Sequence, residues 1–140
     1  MAFIMKQRSS KENFTISPPE LKSIRGVESS TVSVNGSHTA GDTTIALDGF
    51  GADTANRFRA GDMITFAGQT KVYMVVEDVT SSSNAATVTI EPPLRSAVSD
   101  NAVVTYDGIE FTVRLTNDLQ QFSTNDLDTF RFEVDFIEAL

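Results

Sequence analysis

Met63-Ile-Thr-Phe66, Ala67-Gly-Gln-Thr70 and Lys71-Val-Tyr-Met-Val-Val76 follow one another without a break, and their reading decides the fold. Residues 63–66 are a short, mainly apolar run. The glycine-bearing segment 67–70 has hairpin-loop chemistry, and residues 71–79 are rich in β-branched and aromatic side chains, which favour a pleated, half-buried surface. Ala60-Gly-Asp62 supplies the turn that precedes them. The stretch therefore predicts two antiparallel strands joined by a short loop.

Working outward, the same grammar continues. Ser81-Ser-Ser-Asn84 is a polar tip, Ala86-Thr-Val-Thr-Ile90 alternates cleanly, and Pro92-Pro93 stops it because proline has no N–H to give a ladder. Ala102-Val-Val-Thr-Tyr106 is a further strand, and Asp107-Gly108 is a dipeptide of the tight-hairpin kind. On the other side, Thr43-Thr-Ile-Ala-Leu47 alternates and ends in Asp48-Gly49 and Gly51. Strand character is weaker at Thr31-Val-Ser-Val34. Asn13-Phe-Thr-Ile16 reads as a short strand ended by Pro18-Pro19, and residues 2–8 are good helix formers.

Near the C-terminus, Phe111, Val113 and Leu115 alternate with Thr112, Arg114 and Thr116. Phe130, Phe132, Val134 and Phe136 alternate with Arg131, Glu133 and Asp135. Period-2 alternation predicts two long antiparallel strands, with Phe on one face and charge on the other. The last strand has two readings: a core strand with a solvated face, or a strand shared with a neighbouring subunit. Short strands between turn signals predict an all-β chain with minor α content, built as a small barrel or sandwich.

Composition narrows the function. Forty per cent of the 140 residues are hydrophobic, so the chain is globular. Ten Phe against two Tyr and no Trp favour a core or subunit contacts without polar handles. Eleven basic and nineteen acidic residues leave a net charge of −8, and no Lys/Arg cluster offers phosphates a basic face, which argues against specific nucleic-acid binding. The absence of Cys removes disulfides, thiolate metal sites and thiol nucleophiles. No stretch approaches the about 20 apolar residues of a membrane-spanning helix. Five residues before the first charge are too few for the apolar core of a secretory signal.

Candidate chemistry is sparse. His38 is the only histidine and has no partner at ligand spacing, so it is expected to be a loop residue. Asp42, Asp48, Asp53 and Asp62 sit beside glycine or in turns, where aspartate bends and caps the backbone. No calcium-loop cadence, phosphate loop or nucleophile elbow is present. The expectation is a non-enzymatic protein with no catalytic residues, no metal and no cofactor.

From Gly41 onward the chain resembles tailed-bacteriophage virion proteins of the distal-tail type, found at the tail tip or baseplate. Gly41-Asp-Thr-Thr-Ile45, Arg59-Ala-Gly-Asp-Met-Ile-Thr-Phe66, Lys71-Val-Tyr-Met-Val-Val76, Ala86-Thr-Val-Thr-Ile-Glu-Pro-Pro-Leu94, Phe111-Thr-Val-Arg-Leu-Thr-Asn-Asp118 and Phe130-Arg-Phe-Glu-Val-Asp-Phe-Ile-Glu138 carry the resemblance by their order and number. Members of that family have strands ahead of the segment matched by residues 2–8, so the resemblance implies a shortened member or a portion supplied by another chain. It also implies a small barrel over residues 30–106, inserted into a second antiparallel sheet. Residues 1–29 would pack a helix and a strand on that sheet, and residues 107–140 would supply its closing strand pair. The implied function is a structural part of the phage tail, made in the bacterial cytoplasm and residing in the virion. It would form a homo-oligomeric ring and contact tail tube, hub and fibre proteins, with no membrane partner. Arg131, Glu133, Asp135 and Phe136 are the expected assembly surface. The alternatives are a carbohydrate-binding adhesin module, which scarce Tyr and absent Trp disfavour, and a head-tail connector or head decoration protein.

Overall fold

The computed structural model describes residues 11–116, 121–124 and 130–139. It is all-β, with no α-helix among those residues, and the helix expected over residues 2–8 lies outside them. None of the described helical geometry is long and apolar enough to cross a membrane. The chain divides into two compact units, one formed by Ser17–Glu110 and the other by the segments before and after it.

In the unit formed by the terminal segments, β1 (Phe14–Ile16) and β11 (Phe136–Glu138) flank β8 (Phe111–Leu115) in a three-stranded antiparallel sheet. Val113 and Leu115 are buried while Arg114 is exposed, as period 2 requires. A separate antiparallel pair joins β9 (Gln121–Thr124) to β10 (Phe130–Glu133).

The unit of Ser17–Glu110 is a nearly closed, six-stranded antiparallel barrel. Its strands are β2 (Ser33–Val34), β3 (Thr44–Asp48), β4 (Met63–Phe66), β5 (Tyr73–Val75), β6 (Ala85–Glu91) and β7 (Val104–Thr105), in the order β2-β3-β6-β5-β4-β7. The two ends of that sheet meet. Ser33 bridges Val103, Val34 N–H donates to Ala102 O at 2.9 Å, and Val104 N–H donates to Val32 O at 2.9 Å. Closure removes the exposed sheet edges that invite misassociation. Every other residue of the strands points inward, so Val34, Ile45, Leu47, Ile64, Phe66, Tyr73, Val75, Val88, Ile90 and Val104 form one buried core. Phe58 packs edge-on against Phe50 and Tyr106, with ring centroids 6.1 and 5.5 Å apart. Tyr73 keeps its polar tip satisfied inside the core: its hydroxyl donates to Gln69 Oε1 at 2.6 Å and accepts from Arg95 N–H at 3.1 Å.

Three local expectations change. The run at residues 71–79 is not one strand, because β5 ends at Val75. Val75 N–H donates to Asp62 O, Val76 N–H donates to Thr89 O, and Val79 pairs with Phe58, so the run turns a corner from one partner to the next. Asp107-Gly108 is not a hairpin turn, since β7 pairs with β4 while β8 pairs with β1 and β11. The dipeptide instead carries the chain out of the barrel, with Gly108 at φ 68°. Finally, residues 130–138 are two strands interrupted at Val134-Asp135. Phe130 opposes Thr124 whereas Phe136 opposes Leu115, so the partner of β8 is β11 and not the whole segment. The carbonyl of Asp135 accepts from Thr116 N–H at 3.1 Å and Thr116 Oγ1 at 3.2 Å, which pins the interruption.

Candidate functional site

Strand β11 presents Phe136 and Ile137 at 48 % and 52 % exposure. Consecutive strand residues project to opposite faces, so this strand offers a large apolar side chain on each side. Val27, Met74 and Val103 are likewise exposed in the barrel unit, but there they are scattered and not consecutive on one strand. Of the residues expected to form an assembly surface, Asp135 and Phe136 are neighbours and both are exposed. Arg131 and Glu133 belong to the other strand pair, at the register positions opposite Ser123 and Gln121. Alternation alone had placed the four residues on one strand; Arg131 and Glu133 lie in β10, Phe136 lies in β11, and Asp135 lies in the interruption between them.

In the barrel unit most polar side chains singled out by the sequence hold backbone. Asp42 Oδ2 accepts from Thr39 N–H at 2.8 Å and Asp53 Oδ1 from Ser83 N–H at 2.6 Å. Asp62, 2 % exposed, accepts from the N–H groups of Arg25, Gly26 and Arg59 at 2.8, 3.2 and 2.7 Å. Asp48 lies within β3, opposite Ser33 and Ala85. Asp78 and Asp100 act in the same way on Ala60 and Gly36. Much of the acidic character therefore serves to satisfy loop N–H groups. His38 pairs with Val98 through its backbone, accepts Ala46 N–H on Nε2 at 3.1 Å, and turns Nδ1 toward Asp42 Oδ2 at 3.6 Å. It fastens a loop to β3. Among the described residues no three His, Asp or Glu side chains converge as metal ligands would.

One cluster was invisible in the sequence. Glu28 and Arg57 are both buried, with Arg57 Nη1 3.2 Å from Glu28 Oε2. Glu28 Oε1 accepts from Ser29 N–H, Ser30 N–H and Ser30 Oγ at 2.8, 2.6 and 2.5 Å. Arg57 Nε donates to Ser81 Oγ at 3.0 Å, its Nη2 donates to Phe50 O at 2.6 Å and to Ala52 O, and its guanidinium lies 5.7 Å from the Phe50 ring centre. Burial opposes the charged form of Glu28, yet the Ser30 and Ser29 donors and the Arg57 charge together hold its carboxyl below the ordinary glutamate range. Ser29-Ser30 following Glu28 is the only local signal of this arrangement, and Arg57, 29 positions further on, carries none.

Beside this cluster, an open cleft of about 590 Å³ runs between residues 23–31 and 103–107. Ile24, Val103, Val104 and Tyr106 give it apolar walls, and Ser23, Ser29 and Thr31 give it hydroxyls. Tyr106 donates its hydroxyl proton to Ser30 O. Burial, with the charges of Glu28 and Asp107, pushes the Tyr106 phenol above its ordinary range, so it stays a neutral donor. At the rim, the Ser23 hydroxyl donates to Asp107 Oδ1 at 2.6 Å and helps hold that carboxyl below the usual aspartate range. Glu28 is committed to Arg57 and three donors, so the groups that face the cleft are hydroxyls, apolar side chains and the Asp107 carboxylate held by Ser23.

No model of a known protein family matches this sequence, and no curated protein is significantly similar to it.

Proposed function

We propose that this chain is a structural, non-enzymatic component of a bacteriophage tail, in the distal-tail or baseplate region. In this reading it assembles as a ring with copies of itself and meets tube, hub and fibre proteins. The observation that carries the assembly reading is β11, with Phe136 and Ile137 exposed on opposite faces of the outer strand of the terminal sheet. Exposed apolar residues on an outer strand are a liability for a solitary molecule and an asset at a subunit contact. The division of the chain supports the distal-tail part of the reading: a compact barrel is carried between two terminal segments that share a sheet, which is the layout the family resemblance implies. Heterologous contacts whose rotation closes generate rings.

Immunogold negative-stain microscopy of intact particles, with antibody raised against the full chain, tests the placement. Label at the tail end is the expected result. Label on heads or at the head-tail junction would replace this reading with the connector or decoration alternative, and unlabelled particles would overturn it.

A further inference from the structure

We propose that Asn35 is a latent deamidation site, held in its amide form by the carboxylate of Asp100. Asn35-Gly36 is the single Asn-Gly step in the sequence. Glycine has no side chain to obstruct its own nitrogen, so the backbone can bring that nitrogen onto the side chain that precedes it. The reaction needs no enzyme. Gly36 N gives up its proton to a solvent base and attacks Asn35 Cγ. The new C–N bond closes a five-membered succinimide as the side-chain nitrogen leaves as ammonia. Water then opens the ring at one carbonyl or the other, leaving aspartate or isoaspartate. The balance is one water consumed, one ammonia released and one carboxylate gained.

The site is open to solvent. Asn35, Gly36 and Ser37 are all exposed, Gly36 has φ 82°, and a Cβ at Gly36 would meet nothing within 4 Å. What opposes the reaction is the neighbouring turn. Asp100 Oδ1 accepts from Gly36 N–H at 2.8 Å, the same N–H that must be lost. An anion bonded to a neutral N–H disfavours its deprotonation by both charge and hydrogen bond. Asp100 is itself held in place: its Oδ2 accepts from Asn101 Nδ2 at 2.8 Å, and its own N–H donates to Ser37 Oγ at 3.3 Å. On the other side, Asn35 N–H donates to Ala46 O at 2.9 Å. The two turns therefore clasp each other and keep the nucleophile occupied.

The position gives the chemistry a consequence. Val34 N–H donates to Ala102 O and Asn101 N–H donates to Val34 O, each at 2.9 Å, so this turn adjoins the seam where the barrel closes. Isoaspartate would insert a methylene into the backbone directly after Val34. Either product would set a new carboxylate beside Asp100, and like charges at short range repel.

The test follows Asn35 by peptide mass mapping of the full chain during incubation in neutral buffer, with wild type, Asp100→Ala and Asp100→Asn compared. Folding is checked by circular dichroism and the Gly36 amide by hydrogen exchange. Expected are slow conversion in folded wild type, several-fold faster conversion in Asp100→Ala and in denatured wild type, and an intermediate rate in Asp100→Asn, which keeps an acceptor oxygen without the charge. Equal rates in wild type and folded Asp100→Ala would overturn the proposal, as would folded wild type converting as fast as denatured wild type. Should Asp100→Ala fail to fold, Asp100→Asn decides, and a rate equal to that of wild type overturns it.

Discussion

Arg57 Nη1 lies 3.2 Å from Glu28 Oε2, and this pair is buried on both sides. Glu28 Oε2 is buried with no hydrogen-bond partner, so the ion pair with the guanidinium is what compensates it. Around the pair gather Phe50, Ala52 and Ser81 on the arginine side and Ser29 and Ser30 on the glutamate side, so three distant loops are fastened at one point.

Removing one member strands the other. Arg57→Ala is expected to destabilise the chain by about 3–5 kcal/mol, the usual cost of leaving a buried charge unpaired. Urea denaturation of the full chain reads this directly. A loss below that of an ordinary surface substitution would show that water replaces the guanidinium.

Acid acts on the same point. A glutamate whose folded-state pKa is depressed contributes stability that is present above its unfolded value and is lost as pH falls through the folded one. The Glu28 carboxyl is held below the ordinary glutamate range, so its contribution is full at neutral pH and fades as acid carries the pH down through that range. Glu28→Gln should be less stable than wild type at pH 7, and the gap should narrow on acidification. A gap that stays constant with pH would remove Glu28 as its source.

Gly26 is required by space, not by its backbone angle. A Cβ there would stand 2.1 Å from Arg57 O, a backbone atom that cannot swing aside. Gly41 contrasts with it: φ is 97° and a Cβ would meet nothing. Gly41→Ala should therefore cost only the left-handed penalty, about 1–2 kcal/mol. Gly26→Ala should cost more, because the strap at residues 25–28 must lift from Arg57. Thermal melts of the two variants side by side rank them, and the reverse order would contradict the close approach.

At β11 the expectation separates folding from assembly. Phe136→Ser with Ile137→Ser changes two exposed residues, so the cost to folding should be small, within about 1 kcal/mol for the pair. Self-association, measured by light scattering after size-exclusion chromatography, should fall. Unchanged association with unchanged stability would place the subunit contact elsewhere.

Alternation at residues 43–47, 86–90 and 111–116 was enough to determine an all-β chain and to separate inward from outward side chains, because a strand's two faces are written locally at period 2. The role of aspartate in loops was legible for the same reason at Asp42, which acts on Thr39 N–H three positions away, whereas the partner of Asp53, Ser83 N–H, lies 30 positions off. What the tertiary structure alone decided is partnership. Phe130, Phe132, Val134 and Phe136 keep perfect period through a break in the strand, because periodicity records which side a residue faces and not which strand lies beside it. Residues 104–106 and 111–115 both alternate, yet they pair in different units, and the Asp107-Gly108 dipeptide reads the same whether it closes a hairpin or leaves a barrel. The Glu28–Arg57 pair and the clasp of Asp100 on Gly36 join residues far apart in the chain. Such contacts exist only once barrel closure has brought the loops together, and no local pattern of residues encodes them.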